Sequence, residues 1–297
     1  MSLEQYKELA VQEQRYPKNP ISKLVSILQS ICTFWTPTPL EKLLIDDDDT
    51  FKKLLTLKYS TIEHIEGVGE VHSLIIPHPL NFTLTLDSFA SFVQQFLIQK
   101  GFKDRKVILV GHSYGTQIVL KLLNRLDQGK VVGAVMIAPP KFLFKRNWLQ
   151  NLVLKLLLNI PFVFQCFRKF DRVNNVHSVS LRRLFANVDE VSDYHKFKQF
   201  KFNLSTNSTN ILTQALNWKP ISSEEEVIQA FQRLTIPLDS DSDETAGSLL
   251  IIDGDTDKVT HNGGSSYKDF LGNSNVEYSV VEKAGHNLML ERADELK

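Results

Sequence analysis

An α/β fold, with a mostly parallel sheet flanked by helices and interrupted by a helical insertion, is what this sequence predicts, on three observations. Short aliphatic runs at Lys106–Val110 and Val131–Ile137 bracket an amphipathic segment, which is the strand–helix–strand order of a parallel unit. Two further runs, Ser248–Ile252 and Val276–Val281, resume the pattern after residues 141–244, where it gives way to helical spacing. A Gly-His-Ser-Tyr-Gly sequence at 111–115 falls between the first of these strands and the helix that follows it.

The composition permits such a fold and disfavours others. Hydrophobic residues make up 42% and charged residues 23% of 297, enough apolar surface for one sizeable core plus an insertion. Basic and acidic residues balance at 34 each, so no net field draws the chain to nucleic acid. Cys32 and Cys166 are too few for a disulfide framework or a cysteine metal site and suit a reducing compartment. The start, Met-Ser-Leu-Glu-Gln-Tyr-Lys-Glu-Leu, has no early apolar run, and no 18-residue uncharged apolar stretch occurs. A cytoplasmic location is therefore expected, with membrane association at most peripheral. The sequons at Asn81, Asn203 and Asn207 are then coincidental.

Residues 1–50 read as an N-terminal helical extension, apolar from Ile21 to Trp35 and ending in Asp46, Asp47, Asp48 and Asp49. Abutting carboxylates repel one another, whereas hard-cation loops space their ligands, so this run is expected to be a solvated loop. Residues 51–140 and 245–297 are assigned to the core. Leu54–Ile65 looks like β structure, Gly67-Val-Gly69 like a turn, and Leu74-Ile75-Ile76 like a further apolar run. Leu86, Phe89, Phe92, Val93, Phe96 and Leu97 recur at helical spacing and should pack on the sheet. The unbroken run Lys106–Val110 predicts a strand buried on both faces, and Ile118, Val119, Leu122 and Leu123 form the stripe of the next helix. Residues 141–244 are assigned to a helical cap, leaving through a Ser/Asp-rich loop at Asp239–Glu244.

The chemistry rests on three groups. In a G-x-S-x-G turn between strand and helix, Ser113 is lifted clear of the sheet. Gly111 and Gly115 are expected to permit the close approach, with His112 between, and the Tyr114 N–H faces a developing oxyanion. A serine needs a base, and His286 follows the last strand through a short loop containing Gly285. The third group is a carboxylate after the preceding strand: Asp257 is favoured, Asp255 is the alternative, and Asp253 is read as a loop cap. His195 and Asp193 are read as surface residues. The spacing His286-x-x-x-x-Glu291 is read as coincidental.

On Gly111-His-Ser-Tyr-Gly-Thr116, the stretch Asn203 to Trp218, and Ala284-Gly-His-Asn-Leu-Met-Leu-Glu291, the chain from Leu74 to Lys297 resembles the α/β-hydrolase superfamily. Within it, these residues look most like the α/β-hydrolase-domain-containing proteins of the member-eight kind. The resemblance implies the α/β-hydrolase fold, a serine hydrolase triad in the order Ser113, Asp257, His286, and no metal or organic cofactor. It also implies a His-Gly turn and an Asp-x-x-Gly-x-Gly turn upstream of the serine, neither of which is intact here. Ile75-Ile-Pro-His78-Pro-Leu80 stands in that region, with the Leu80 N–H the candidate second oxyanion donor.

Trp148 to Phe167 is densely apolar, broken by Pro161, and flanked by Lys145, Arg146, Arg168 and Lys169. This suits a lid over a greasy pocket, a helix resting on a bilayer, or a buried cap helix. The expected substrate is a hydrophobic or lipid acyl ester, with peripheral membrane contact through the cap. The rival expectation is a catalytically silent lipid-binding or scaffold protein on the same fold.

Overall fold

The apolar runs separated by helical stripes become strands and helices in the computed structural model. It describes residues 7–8, 40–41, 63–65, 69–71, 85–99, 102, 105–142, 146–172, 174–206, 208–218, 221, 223–236, 246–272 and 275–296. The short strands β1 (Glu63–Ile65) and β2 (Gly69–Val71) pair antiparallel, Glu63 opposite Val71. Then come α1 (Leu86–Gln99), β3 (Val107–His112), α2 (Tyr114–Arg125) and β4 (Val131–Ile137). Before the sheet resumes, the chain runs through α3 (Trp148–Asn159), α4 (Pro161–Asp171), α5 (Val179–Leu184), α6 (Asp193–Ser205), α7 (Ser208–Asn217) and α8 (Glu224–Thr235). It closes with β5 (Ser248–Gly254), α9 (Gly263–Leu271), β6 (Val276–Val281) and α10 (Leu288–Glu291).

Strands β3, β4, β5 and β6 lie side by side in that order, all parallel, as the strand–helix alternation requires. Because side chains alternate across a strand, Leu109, Met136 and Ile251 share one face. There they meet Leu86 and Ala90 of α1, Leu120 and Leu123 of α2, and Ala230 and Leu234 of α8 in one buried cluster. Helix α8 is thus packed on the sheet, although the sequence pattern groups it with the insertion. Ser223 starts it by accepting from the Glu226 N–H at 3.1 Å, and Glu224, Glu225 and Glu226 complement the positive end of its dipole.

The opposite face is covered at one end, where Ile252 and Val281 pack with Ala284 and Leu288. At β3 it is open: Ile108 is 63% and Val110 64% exposed. The expectation of a strand buried on both faces is corrected: among the described residues β3 is the end strand of this sheet and only its Leu109 side meets helices. Leu74–Ile76, Asp46–Asp49, Cys32, Asn81 and Asn207 lie outside the described residues.

The insertion has an apolar cluster of its own, in which Val176, Leu181, Phe185, Val188, Val191, Phe197 and Phe200 are buried with Leu40. Asn203 belongs to α6, where its side chain accepts from Gln199 Nε2 at 3.0 Å. His195 and Asp193 open the same helix, and Asp193 pairs with Lys7 and Lys196. Asn147 and Gln150 form a reciprocal capping box at the start of α3, and Pro161 begins α4, where its missing N–H costs nothing. Helices α3 and α4 bury no residue fully. No single described helix is long and apolar enough to cross a membrane, whereas α3 and α4, bent by 99°, pass that test together by length and composition.

Candidate active site

Ser113 occupies the turn from β3 into α2 with φ 53° and ψ −119°. A non-glycine residue held at positive φ costs on the order of 1–3 kcal/mol and persists where its surroundings over-determine it. Here the Ser113 N–H donates to the Ile137 carbonyl at 2.8 Å, tying the turn to β4, and the Ser113 carbonyl accepts from Thr116 N and Thr116 Oγ1. A side chain at Gly111 would place its Cβ 2.6 Å from the Gly115 carbonyl oxygen, so this glycine is required by close approach. Gly115 is not: among the described residues a Cβ there meets nothing within 4 Å. The expectation that both glycines serve the approach is corrected, because Gly115 offers its backbone to Gly111 while its own Cβ direction is open. Tyr114 opens α2, where a backbone N–H has no intrahelical partner. Its ring packs edge-on against Phe89 and Trp218.

The segments after β5 and β6 bring Asp257 and His286 together. His286 Nδ1 donates to Asp257 Oδ2 at 2.9 Å, and both residues are buried. The same carboxylate accepts from the N–H groups of Val259 at 2.6 Å and Thr260 at 3.0 Å, and from Thr260 Oγ1 at 2.5 Å. Burial alone would raise its pKa, but the hydrogen bonds from His286 and Thr260 outweigh it and bring Asp257 down to about 2. An ionised Asp257 fixes the proton on Nδ1 and leaves the Nε2 lone pair of His286 available to accept one. Asp255 is exposed and accepts from the Ala284 N–H at 3.1 Å, away from the imidazole. Asp253 is fully buried, accepts from Gly264 N and Tyr278 Oη, and caps the start of α9; burial pushes its pKa up to about 6.

His112 connects the serine turn to the histidine segment. Its Nε2 lies 2.8 Å from the main-chain oxygen of His286, and the two rings are 4.7 Å apart. Burial, reinforced by the neighbouring His286, lowers its pKa to about 4, so it is neutral at physiological pH and donates from Nε2. The structure has no hydrogen bond between Ser113 Oγ and the His286 imidazole; such contacts commonly tighten only when substrate is bound. Leu80 lies outside the described residues.

Glu291 has a place that its spacing from His286 does not disclose. Its Oε2 accepts from Gly285 N at 2.6 Å, while Oε1 accepts from Ala186 N at 2.6 Å and Asn187 N at 3.4 Å. Asn287 N donates to the Leu184 carbonyl at 2.9 Å, and a Cβ on Gly285 would strike the Ala186 N at 2.6 Å. The loop bearing His286 is thus seamed to the insertion. Burial raises the Glu291 pKa despite these donors. No group of three or more metal-ligating side chains occurs among the described residues.

The parallel sheet flanked by helices agrees with the comparisons. The chain belongs to the alpha/beta hydrolase fold family, whose sequence profile matches residues 72–293. It is 32% identical over 129 residues to lipid droplet hydrolase 1 of Saccharomyces cerevisiae, a match covering 40% of this chain and 34% of that protein. The chain therefore spans about a third of the length of that curated relative. An esterase of Exiguobacterium antarcticum superposes with a TM-score of 0.53 at 16% identity, over 77% of each chain. A bromoperoxidase of Bacillus anthracis gives 0.52 at 16% identity, over 75% of this chain and 74% of its own. At such identities the structural likeness speaks for the fold.

Proposed function

We propose that this chain hydrolyses a carboxylic ester, a hydrophobic or lipid acyl ester, with Ser113 as nucleophile, His286 as general base and Asp257 as its orienting acid. The observation that carries this reading is the buried Asp257–His286 pair, held by His112 beside the strained Ser113 turn. The Ser113 oxygen attacks the ester carbonyl as its proton passes to His286 Nε2; the Tyr114 N–H stabilises the oxyanion, and the alcohol leaves with that proton. Water then adds to the acyl-serine, giving its proton to His286, and the carboxylic acid departs as Ser113 recovers its hydrogen.

The lipid class is supported by the name of the yeast relative and by the helices of the insertion. We assign residues 141–217 of the insertion to a lid, with α8 counted in the core. Trp148 is 76% exposed, Leu149 52%, Leu156 53%, Ile160 52% and Phe167 57%, and from Arg146 to Phe170 there is no acidic residue. Such a surface suits contact with a lipid interface.

Labelling the purified protein with a fluorophosphonate probe tests the reading. Labelling is expected for the wild type and lost in Ser113→Ala and His286→Ala, with ester turnover rising with acyl length. A folded wild type that does not label would instead point to a silent lipid-binding protein on this fold.

A further inference from the structure

A cavity of about 410 Å³ lies among α4, α5, α6 and α7, apart from the serine turn. This falls in the roughly 300–1,000 Å³ range of small-molecule sites. Its walls combine two kinds of group. Phe164, Phe167 and Phe202 make it apolar, while Arg168, Arg172 and Arg183 bring three guanidinium groups to it.

The charges do not balance. Arg183 pairs at 2.5 Å with Asp171, the one carboxylate in the lining, whose charge also supports Arg168 and Arg172. Among the described residues Arg168 meets no carboxylate within ion-pair distance: it donates to the Thr206 carbonyl at 2.6 Å, to Ser208 Oγ at 2.8 Å and to the Asn203 carbonyl. Arg172 approaches Glu41 only at 4.0 Å, and its Nε is buried without a hydrogen-bond partner among the described residues. The carbonyls at the end of α6 offer about half a negative charge, too little for two cations. The two arginines also oppose each other: burial, and then the charge of Arg172, lower the Arg168 pKa to about 10. Glu41 and Asp171 offset part of this positive charge; the remainder in an apolar wall is costly, and an anion that accepts hydrogen bonds from the guanidiniums lowers that cost.

We infer that this cavity binds a single-chain amphiphile by its anionic head, a long-chain carboxylate, with the head at Arg168 and Arg172 and the chain along the phenylalanines. The choice of a carboxylate rests on the ester-hydrolase reading, whose product it is; the pairing of cations with apolar walls stands without it. The cavity is also coupled to the candidate active site, because Leu184, which lines it, accepts from the N–H of Asn287, the residue after His286.

The test is calorimetric titration of the full chain carrying Ser113→Ala with dodecanoate and with dodecanol, each below its aggregation threshold. One equivalent of dodecanoate is expected to bind at least about tenfold more tightly than the alcohol, the worth of a charge-assisted hydrogen bond. Arg172→Met should erase that preference. Phe167→Glu, at an exposed position that tolerates a polar side chain, should abolish dodecanoate binding through like-charge repulsion. Equal affinity for acid and alcohol, or dodecanoate binding unchanged in both folded variants, overturns the inference. Because the titrated protein lacks the serine, its result and the labelling of the wild type fail or succeed separately.

Discussion

His112 donates from Nε2 to the main-chain oxygen of His286 at 2.8 Å, so the residue before Ser113 holds the backbone of the histidine that pairs with Asp257. The bond spans 174 positions in sequence, and burial, which outweighs it, keeps His112 neutral.

That neutrality has a pH consequence. The folded pKa of His112, about 4, lies below its ordinary value of 6.5, so the unfolded chain takes up a proton first as pH falls. The stability tied to neutral His112 is complete above pH 6.5 and is lost as pH drops toward 4, by up to about 3 kcal/mol. Urea midpoints measured from pH 7 to pH 4.5 should fall more steeply for the wild type than for His112→Gln, which keeps a donor and cannot titrate.

The two carboxylates after β5 should separate cleanly in kinetics. Asp257→Asn is expected to lower turnover by about 10⁴, since the amide no longer enforces the Nδ1 proton of His286. Asp255→Asn, whose partner is the Ala284 N–H, should leave turnover within a few fold. Steady-state kinetics on a short-chain ester distinguishes them.

Glu291 accepts with both oxygens, and glutamine offers only one. Glu291→Gln should therefore set an amide against the N–H of Gly285 or of Ala186 and cost about 1–3 kcal/mol in a denaturant titration. Turnover should fall with KM little changed, because the displaced group is the His286 loop.

The two glycines of the turn should differ. Gly111→Ala is expected to yield little folded protein, its Cβ meeting the Gly115 backbone at 2.6 Å. Gly115→Ala, in a helix where the new Cβ meets nothing within 4 Å among the described residues, should be tolerated or stabilise by about 0.5–1 kcal/mol. Expression yield and thermal melts decide the matter.

Leu156→Glu places a charge on the exposed α3 face without disturbing the core. Co-sedimentation with phosphatidylcholine–phosphatidylserine vesicles should weaken severalfold, while hydrolysis of a soluble ester is unchanged.

The strands, the serine turn and the Asp257–His286 pair were legible because each is announced locally, by an apolar run followed at once by a glycine-bearing loop. Where partners lie far apart in sequence, that signal fails. The donors to Glu291 include Ala186, 105 positions away, so the spacing from His286 identifies no partner. The unbroken run likewise predicts Lys106–Val110 to be a strand buried on both faces, since a strand covered on one face and one covered on both share the same aliphatic run. The role of Gly115 depends on which way its Cα faces, which a motif does not encode.

The seam from Leu184–Ala186 to Gly285–Glu291 limits how the molecule can open. An insertion bonded to the base-bearing loop at that margin cannot lift there without dragging His286 out of line. On the ester-hydrolase reading proposed above, a bulky substrate is expected to enter elsewhere, and α3 and α4, which carry no fully buried residue, are the candidates to move. Entry beside that exposed apolar surface would let a molecule dissolved in lipid reach the serine without first crossing water.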